Sequence, residues 1–455
     1  MLLQHGAGHP RTDDRNHIFP QFLHIVFLSV AMLVARGADR IWQQIAACKA
    51  LKMAQTSSSI LKGRQMENIV ILDGARTPIG GFGGSLAGVP PTQTAAHVSR
   101  VAMERAGVDP AQIGHVVFGN VINTEPRDMY LSRVAAMDSG VPEATPAMNV
   151  NRLCGSGAQA IVSAAQSLML GDADFALAGG AEAMSRAPYI LQDARFGKKM
   201  GDMAAVDMML ATLNCPFGTG HMGITAENVA ARYGISREDQ DAFSLESQRR
   251  AAAAIAAGHF KGQIAPIEVR LGRKTVMFDT DEHPKSTSAE ALAGLRAAFQ
   301  KDGTVTAGNA SGINDGAGAV VLATEAAAAK AGLTPKARIL GYAHAGVDPA
   351  LMGIGPIPAV RNLLARTGLK ASDFAVIESN EAFAAQACAV SQELGLDPAR
   401  VNPNGGAIAL GHPVGATGVI VTLKAIYELE RIGGGKGLIT MCIGGGQGIA
   451  LAIEV

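Results

Sequence analysis

Two segments far apart in the chain repeat the same order of features. Val150-Asn151-Arg152-Leu153-Cys154-Gly155-Ser156-Gly157 leads into an Ala-rich stretch and then the apolar run Ala176-Leu177-Ala178-Gly179-Gly180-Ala181. Val401-Asn402-Pro403-Asn404-Gly405-Gly406 and Gly411-His412-Pro413-Val414-Gly415-Ala416-Thr417-Gly418 lead into a second helical stretch, then Ile439-Thr440-Met441-Cys442-Ile443-Gly444-Gly445-Gly446. Each reads as Val-Asn, a Gly-rich loop, a helix and an apolar strand ending in glycines. Self-similarity of this kind predicts two duplicated α/β halves facing each other.

The rest of the pattern fits such halves. Apolar runs at Asn68–Leu72, His115–Asn120, Asp174–Gly179, around Ile339, Phe374–Glu378 and Gly437–Cys442 predict strands, and they lack the alternation of a half-exposed sheet. Continuous apolar runs are what strands buried on both faces require. Helices are predicted at Thr94–Ala106, Ser156–Leu170 and Val414–Leu429. A more polar section from about Ser185 to Gln300, with the charged helix Ser236–Ala257, reads as an insertion covering one face. Glycine makes up 54 of 455 residues, about 12% against a usual ~7%, and aromatics only 4%. Such a chain packs by close backbone approach rather than by aromatic bulk.

Lys+Arg and Asp+Glu each number 39. That balance, with so few aromatics, argues against a nucleic-acid binder and against a membrane-surface binder. The five cysteines (48, 154, 215, 388, 442) are odd in number and dispersed, with no CxxC. Neither a disulfide scaffold nor a structural zinc site is expected, and a reducing, cytoplasmic compartment is.

Residues 1–65 are set apart by four of the eleven histidines, an Arg11-Thr12-Asp13-Asp14 run and a Ser57-Ser58-Ser59 tract. Their apolar stretch, Ile18–Ala35, approaches the length of a membrane span but is interrupted by Pro20, Gln21 and His24. An upstream translation start with the folded protein beginning at Met66 is the expected reading; a targeting segment and a membrane anchor are the alternatives.

A few residues could carry chemistry. Cys154 sits at the predicted N-terminus of a helix, where amide N–H groups and the macrodipole lower a thiol pKa, among small neighbours that leave room for a carbonyl. The alternative is a buried, inert thiol. His412, in a loop with five glycines between 405 and 418, could act as the base for that thiol, or could simply bond its local backbone. Cys442 precedes three glycines whose amides could form an oxyanion site, or it is a strand-end core residue. Asn380 follows a strand, where ligands of α/β folds gather, or caps a helix. His221-Met222-Gly223 and Asn309-Ala310-Ser311-Gly312 are weaker signals that favour structural roles. No P-loop, Gly-x-Ser-x-Gly elbow or metal-ligand spacing is present.

Taken together, these segments resemble the thiolases, specifically the bacterial β-ketothiolases (acetyl-CoA acetyltransferases), from Met66 to Val455. The resemblance is carried by Asn151-Arg152-Leu153-Cys154-Gly155-Ser156-Gly157, Asn380-Glu381-Ala382-Phe383-Ala384-Ala385-Gln386, Asn404 to Pro413, and Cys442-Ile443-Gly444-Gly445-Gly446-Gln447-Gly448, in the family's order. Val116 to Asp128 looks like the subgroup that accepts somewhat longer 3-ketoacyl-CoAs. The resemblance implies a duplicated five-layer α/β/α/β/α fold with an inserted loop domain. The boundaries would be 1–65 for the extension, 66–184 for the first half, 185–314 for the loop domain over the CoA site, 315–335 for a return to the first half and 336–455 for the second.

It also implies roles. Cys154 would be the acylated nucleophile, His412 its base, and Cys442 the acid/base at the α-carbon of the second acyl-CoA. His412 with a water held by Asn380 would make one oxyanion hole, and the amides of Cys154 and Gly444 the other. Ser311 and His221 would lie along the pantetheine arm, Met222 and Phe383 at the acyl region, and Lys285 near the CoA nucleotide, where relatives often carry Arg. The family's ping-pong Claisen chemistry calls for no metal and no cofactor, coenzyme A being substrate or product. Partners would be acyl-CoA molecules and further copies of the chain in a homotetramer. Two rivals are a decarboxylating condensing enzyme, which has a second His where this chain has Cys442, and a non-catalytic lipid-binding member of the fold, which has no need of Cys154, His412 and Cys442.

Overall fold

The computed structural model describes residues 67–455, so the readings made for residues 1–65 and for Met66 lie outside the described residues. The first half runs β1 (Ile69–Arg76), α1 (Pro91–Ala106), β2 (His115–Gly119), α2 (Leu131–Asp138), β3 (Ala147–Val150), α3 (Ser156–Leu170), β4 (Phe175–Ala183). Residues 184–313 follow, carrying α4 (Met222–Tyr233) and α5 (Arg237–Ala257), and β5 (Asn314–Thr324) then returns to pair with β4. The second half runs β6 (Ala337–Gly346), α6 (Pro356–Thr367), β7 (Phe374–Ser379), α7 (Ala384–Leu394), α8 (Thr417–Ile432), β8 (Lys436–Ile443), β9 (Gln447–Glu454).

The duplication seen in the sequence is a duplication of topology. In the first half the strands lie in the order β3-β2-β4-β5-β1, with β2 parallel to both β3 and β4, and β5 antiparallel to both β4 and β1. In the second half Val401 bridges to Ile377 of β7 in parallel, and the order continues β7-β8-β9-β6 with β9 antiparallel to both of its neighbours. Val150 and Val401, the starts of the two echoes, occupy the same place in the two sheets. The halves join edge to edge through two residue pairs, Val70 with Arg338 and Ile71 with Ala337.

Burial defines the layers. One core sits between the two sheets and is filled by α3 and α8, with Ile161, Leu168, Val419, Leu423 and Ile426 packed against strand residues of both halves. A second core lies between α1, α2 and the outer face of the first sheet, and a third between α6 and the outer face of the second. The order is helices, sheet, helices, sheet, helices. Every residue of β1, β4 and β5 is buried, as continuous apolar runs require. No described helix is long and apolar enough to cross a membrane.

Boundaries moved where local chemistry intervened. The first strand reaches Arg76 because its fully buried guanidinium is paired with Asp281 at 2.7 Å and accepted by Gln263 at 2.8 Å. The helix predicted from Val414 begins at Thr417, after a turn in which the Ala416 amide donates to the Pro413 carbonyl.

Candidate active site

The two Gly-rich loops meet over a cavity of about 600 Å³, whose lining includes Cys154, His412 and Gly444. Cys154 lies just ahead of α3, with Gly155 in the cap position. Its turn is buckled: the Ser156 hydroxyl accepts from the Arg152 amide and donates to the Leu153 carbonyl, and Leu153 is held at φ +45°. A non-glycine residue at positive φ beside a reactive group is strain placed at a working site. The amides of Gly444 and of Cys154 itself both point at the Cys154 sulfur. A Cβ at Gly444 would sit 2.9 Å from the end of the Leu153 side chain and 3.1 Å from that of Met222, so a larger residue there would push both aside.

His412 is buried and held from three sides. Its amide donates to Asn314 Oδ1 at 2.9 Å. Its Nδ1 lies 2.7 Å from Thr417 Oγ1, which donates to the Pro413 carbonyl and therefore accepts from Nδ1–H. That leaves Nε2 as the lone pair, 3.4 Å from the Asn380 side-chain amide. Burial pushes the His412 pKa down to about 4. Burial also pushes the Cys154 thiol up, against the opposing pull of the two amides. The helix-terminus expectation of a lowered thiol pKa is therefore corrected: Cys154 precedes the first turn and desolvation outweighs the N–H groups. At rest the Cys154 thiol and the His412 imidazole, which line the same cavity, are both neutral.

Cys442 lies behind the cavity wall, fully buried among Met222, Phe383, Met352 and Cys215. Its thiol is pushed well up by burial first, and further by charge on Cys154, so the two sulfurs lie within electrostatic reach of each other. Asn380 also sits behind the wall, its amide continuing the β7–β8 pairing to the Thr440 carbonyl at 3.0 Å. It caps no helix, because α7 begins at Ala384 with Phe383 in the cap position.

The chain belongs to the thiolase family. The family models for the thiolase N-terminal and C-terminal domains match residues 69–326 and 333–455. The chain is 60% identical to the beta-ketothiolase BktB of Cupriavidus necator over 389 residues, covering 85% of this chain and 98% of that protein. It is 50% identical to an acetyl-CoA acetyltransferase of Pseudomonas aeruginosa over 392 residues, covering 85% and 99%. The human mitochondrial 3-ketoacyl-CoA thiolase in complex with CoA matches with a TM-score of 0.83 at 43% identity, covering 86% of this chain and 98% of that one.

In this thiolase the residues 184–313 supply the far wall of the cavity. His221, Met222, Ser311 and Phe383 line it, and Lys285 stands exposed where it reaches the surface. His221 also caps α4 by accepting from the Gly223 amide, and its ring stacks on Phe299 at 4.6 Å. In the segment expected to be structural, Asn309 is indeed a core residue bonded to Asp241, whereas Ala310, Ser311 and Gly312 face the cavity. Sequence reasoning missed Phe299, Thr417 and Asn314. Thr417 was findable as a hydroxyl five residues past a loop histidine. Asn314 carries no such local signal. Among the described residues no group of His, Cys, Asp and Glu is placed to hold a metal.

Proposed function

We propose that this thiolase is a β-ketothiolase, an acyltransferase that cleaves 3-ketoacyl-CoA with coenzyme A, or runs the reverse Claisen condensation, through an acyl-Cys154. The observation that carries this is the convergence of two amides on the Cys154 sulfur in a cavity that His412, its Nε2 lone pair left free by the Thr417 bond, also lines, with Cys442 within electrostatic reach of that sulfur. Cys154 attacks the keto carbon while its proton passes to His412 Nε2. The oxyanion so formed meets preorganised donors, the amides of Cys154 and Gly444 or the newly protonated His412 with Asn380. The bond between the α-carbon and the keto carbon breaks, its electron pair stays on the α-carbon, and Cys442 protonates it to release acetyl-CoA. The thiol of coenzyme A then attacks the acyl-cysteine, its proton restoring Cys442 while His412 returns the first proton to Cys154. Two thiols are used because one is covalently occupied while the other moves a proton. The sequence of steps uses no metal or cofactor.

The apolar wall formed by Met222, Phe383 and Phe299 supports acceptance of chains longer than acetoacetyl. A homotetramer is the assembly proposed with it, checked by light scattering. The deciding assay is CoA-dependent cleavage of acetoacetyl-CoA and 3-ketohexanoyl-CoA by the purified protein, followed by loss of enolate absorbance. Turnover of both is expected. Cleavage of acetoacetyl-CoA alone contradicts the longer-chain reading, and turnover of neither by folded protein contradicts the activity.

A further inference from the structure

Glu182, at the end of β4, is 1% exposed and has no role in the chemistry above. Four N–H groups converge on its carboxylate. Oε1 accepts from the Ile122 amide at 3.0 Å and Asn120 Nδ2 at 3.3 Å. Oε2 accepts from the Gly415 amide at 2.9 Å and the Val121 amide at 3.1 Å. No lysine or arginine pairs with it among the described residues. Asn120 cannot turn an oxygen toward it, because its Oδ1 accepts from Asn123 at 2.8 Å. Burial pushes the Glu182 pKa up, but the backbone donors oppose it, and a proton on either oxygen would face only N–H groups. The four donors are satisfied together by the ionised form alone.

The donors come from both halves of the molecule. Val121 and Ile122 follow β2 of the first half, and Val121 lines the cavity. Gly415 is three residues past His412, in the loop of the second half. That loop lies directly on the strand ends of the first: a Cβ at Gly180 would be 2.2 Å from the Gly415 carbonyl oxygen, and a Cβ at Gly415 2.5 Å from Glu182 Oε2. Glu182 is the anchor that ties the His412 loop down onto this surface.

We propose that Glu182 is a positioning residue for acyl transfer, fixing the Gly411–Ala416 loop against the first half so that His412 faces Cys154. It rests on the roles given above to Cys154 and His412. Displacement of a reacting group by about 1 Å costs on the order of 10²-fold in rate. The carboxylate also acts on the thiol through space, since its charge raises the Cys154 pKa. The titratable groups that act on the Cys154 thiol are Glu182 from β4 and Cys442 from β8, His412 of the loop lines the same cavity, and Asp128 acts on Glu182.

Two variants of the full chain separate position from charge. Glu182→Gln keeps the shape but aims an amide at one pair of donors and removes the charge. Its acylation by acetoacetyl-CoA should slow about 10²-fold with KM within about threefold, while the pH midpoint for iodoacetamide alkylation of Cys154, read by peptide mapping, moves down. Glu182→Asp keeps the charge and shortens the reach; acylation should slow at least about tenfold with the alkylation midpoint unmoved, and this variant decides the matter if Glu182→Gln does not fold. Wild-type acylation in a folded variant overturns the proposal, as does loss of CoA binding and alkylation together with acylation, which would mark general loosening. Absence of a Cys154 adduct in the wild-type enzyme would instead overturn the roles on which the proposal rests.

Discussion

Gly157 and Gly418 meet backbone to backbone where α3 and α8 cross: a Cβ on Gly418 would lie 2.0 Å from the Ala158 nitrogen, and one on Gly157 2.9 Å from the Val419 nitrogen. These helices carry the Cys154 and His412 loops at their N-terminal ends, so the crossing sets the distance between the two halves of the site.

Gly418→Ala should therefore cost stability first and activity second. Overpacking of this kind costs about 1–3 kcal/mol, and backbone on backbone leaves little room to relax. Urea unfolding followed by circular dichroism is the check, with a lowered midpoint expected.

The Arg76–Asp281 pair is buried on both sides, and Asp281 also accepts from the Ile79 amide at 2.8 Å. Asp281→Ala leaves an uncompensated buried guanidinium, expected to cost about 3–5 kcal/mol. Its cleavage rate per folded molecule should stay close to wild type, because neither residue lines the cavity.

Thr417→Val removes the acceptor for His412 Nδ1–H and frees the imidazole to change tautomer. Loss of properly oriented acid–base catalysis is worth about 10²-fold or more, so single-turnover acylation should fall by that order with CoA affinity retained. Unchanged acylation would remove Thr417 from the site.

The low His412 pKa has a definite sign. Its folded value of about 4 lies below the unfolded 6.5, so between these the unfolded chain binds a proton that the folded chain refuses. Stability is full above pH 6.5 and falls as pH drops toward 4, with His344, also pushed down to about 4 by burial and nearby arginines, adding to the slope. Acylation should keep its base unprotonated well below pH 6, so the acid limb of kcat/KM should lie lower than a free histidine would place it. Stopped-flow acylation between pH 5 and 8 tests this, and a limb at 6.5 would contradict it.

Cys442→Ser should depress acetoacetyl-CoA cleavage and condensation by about 10²–10⁴-fold, since both pass a proton between its sulfur and the α-carbon, while acetyl exchange between acetyl-CoA and free coenzyme A, which moves no carbon-bound proton, should fall much less. Equal loss of cleavage and exchange would contradict the assigned role.

Much of this was legible in residues 66–455. The echo of Val150 and Val401 foretold the repeated topology, Ser156–Leu170 was placed to the residue, and continuous apolar runs marked strands buried on both faces. The Gly-rich loops pointed to Cys154, His412 and Gly444 because glycine brings backbone amides close to a reacting group. What escaped were contacts between distant segments. Asn314 reaches His412 across 98 positions and Glu182 reaches Gly415 across 233, and no local pattern records either. The thiol pKa was misjudged for a related reason: a helix start is visible in sequence, but the depth at which the fold buries it is not.

The most direct test is intact and peptide mass analysis of the full chain quenched with acid after incubation with acetoacetyl-CoA and no free coenzyme A. An acetyl group on the peptide holding Cys154, absent from Cys154→Ala and strongly reduced in His412→Ala, is the predicted result. Acetylation of another cysteine, or turnover with no covalent adduct on Cys154, would contradict the account.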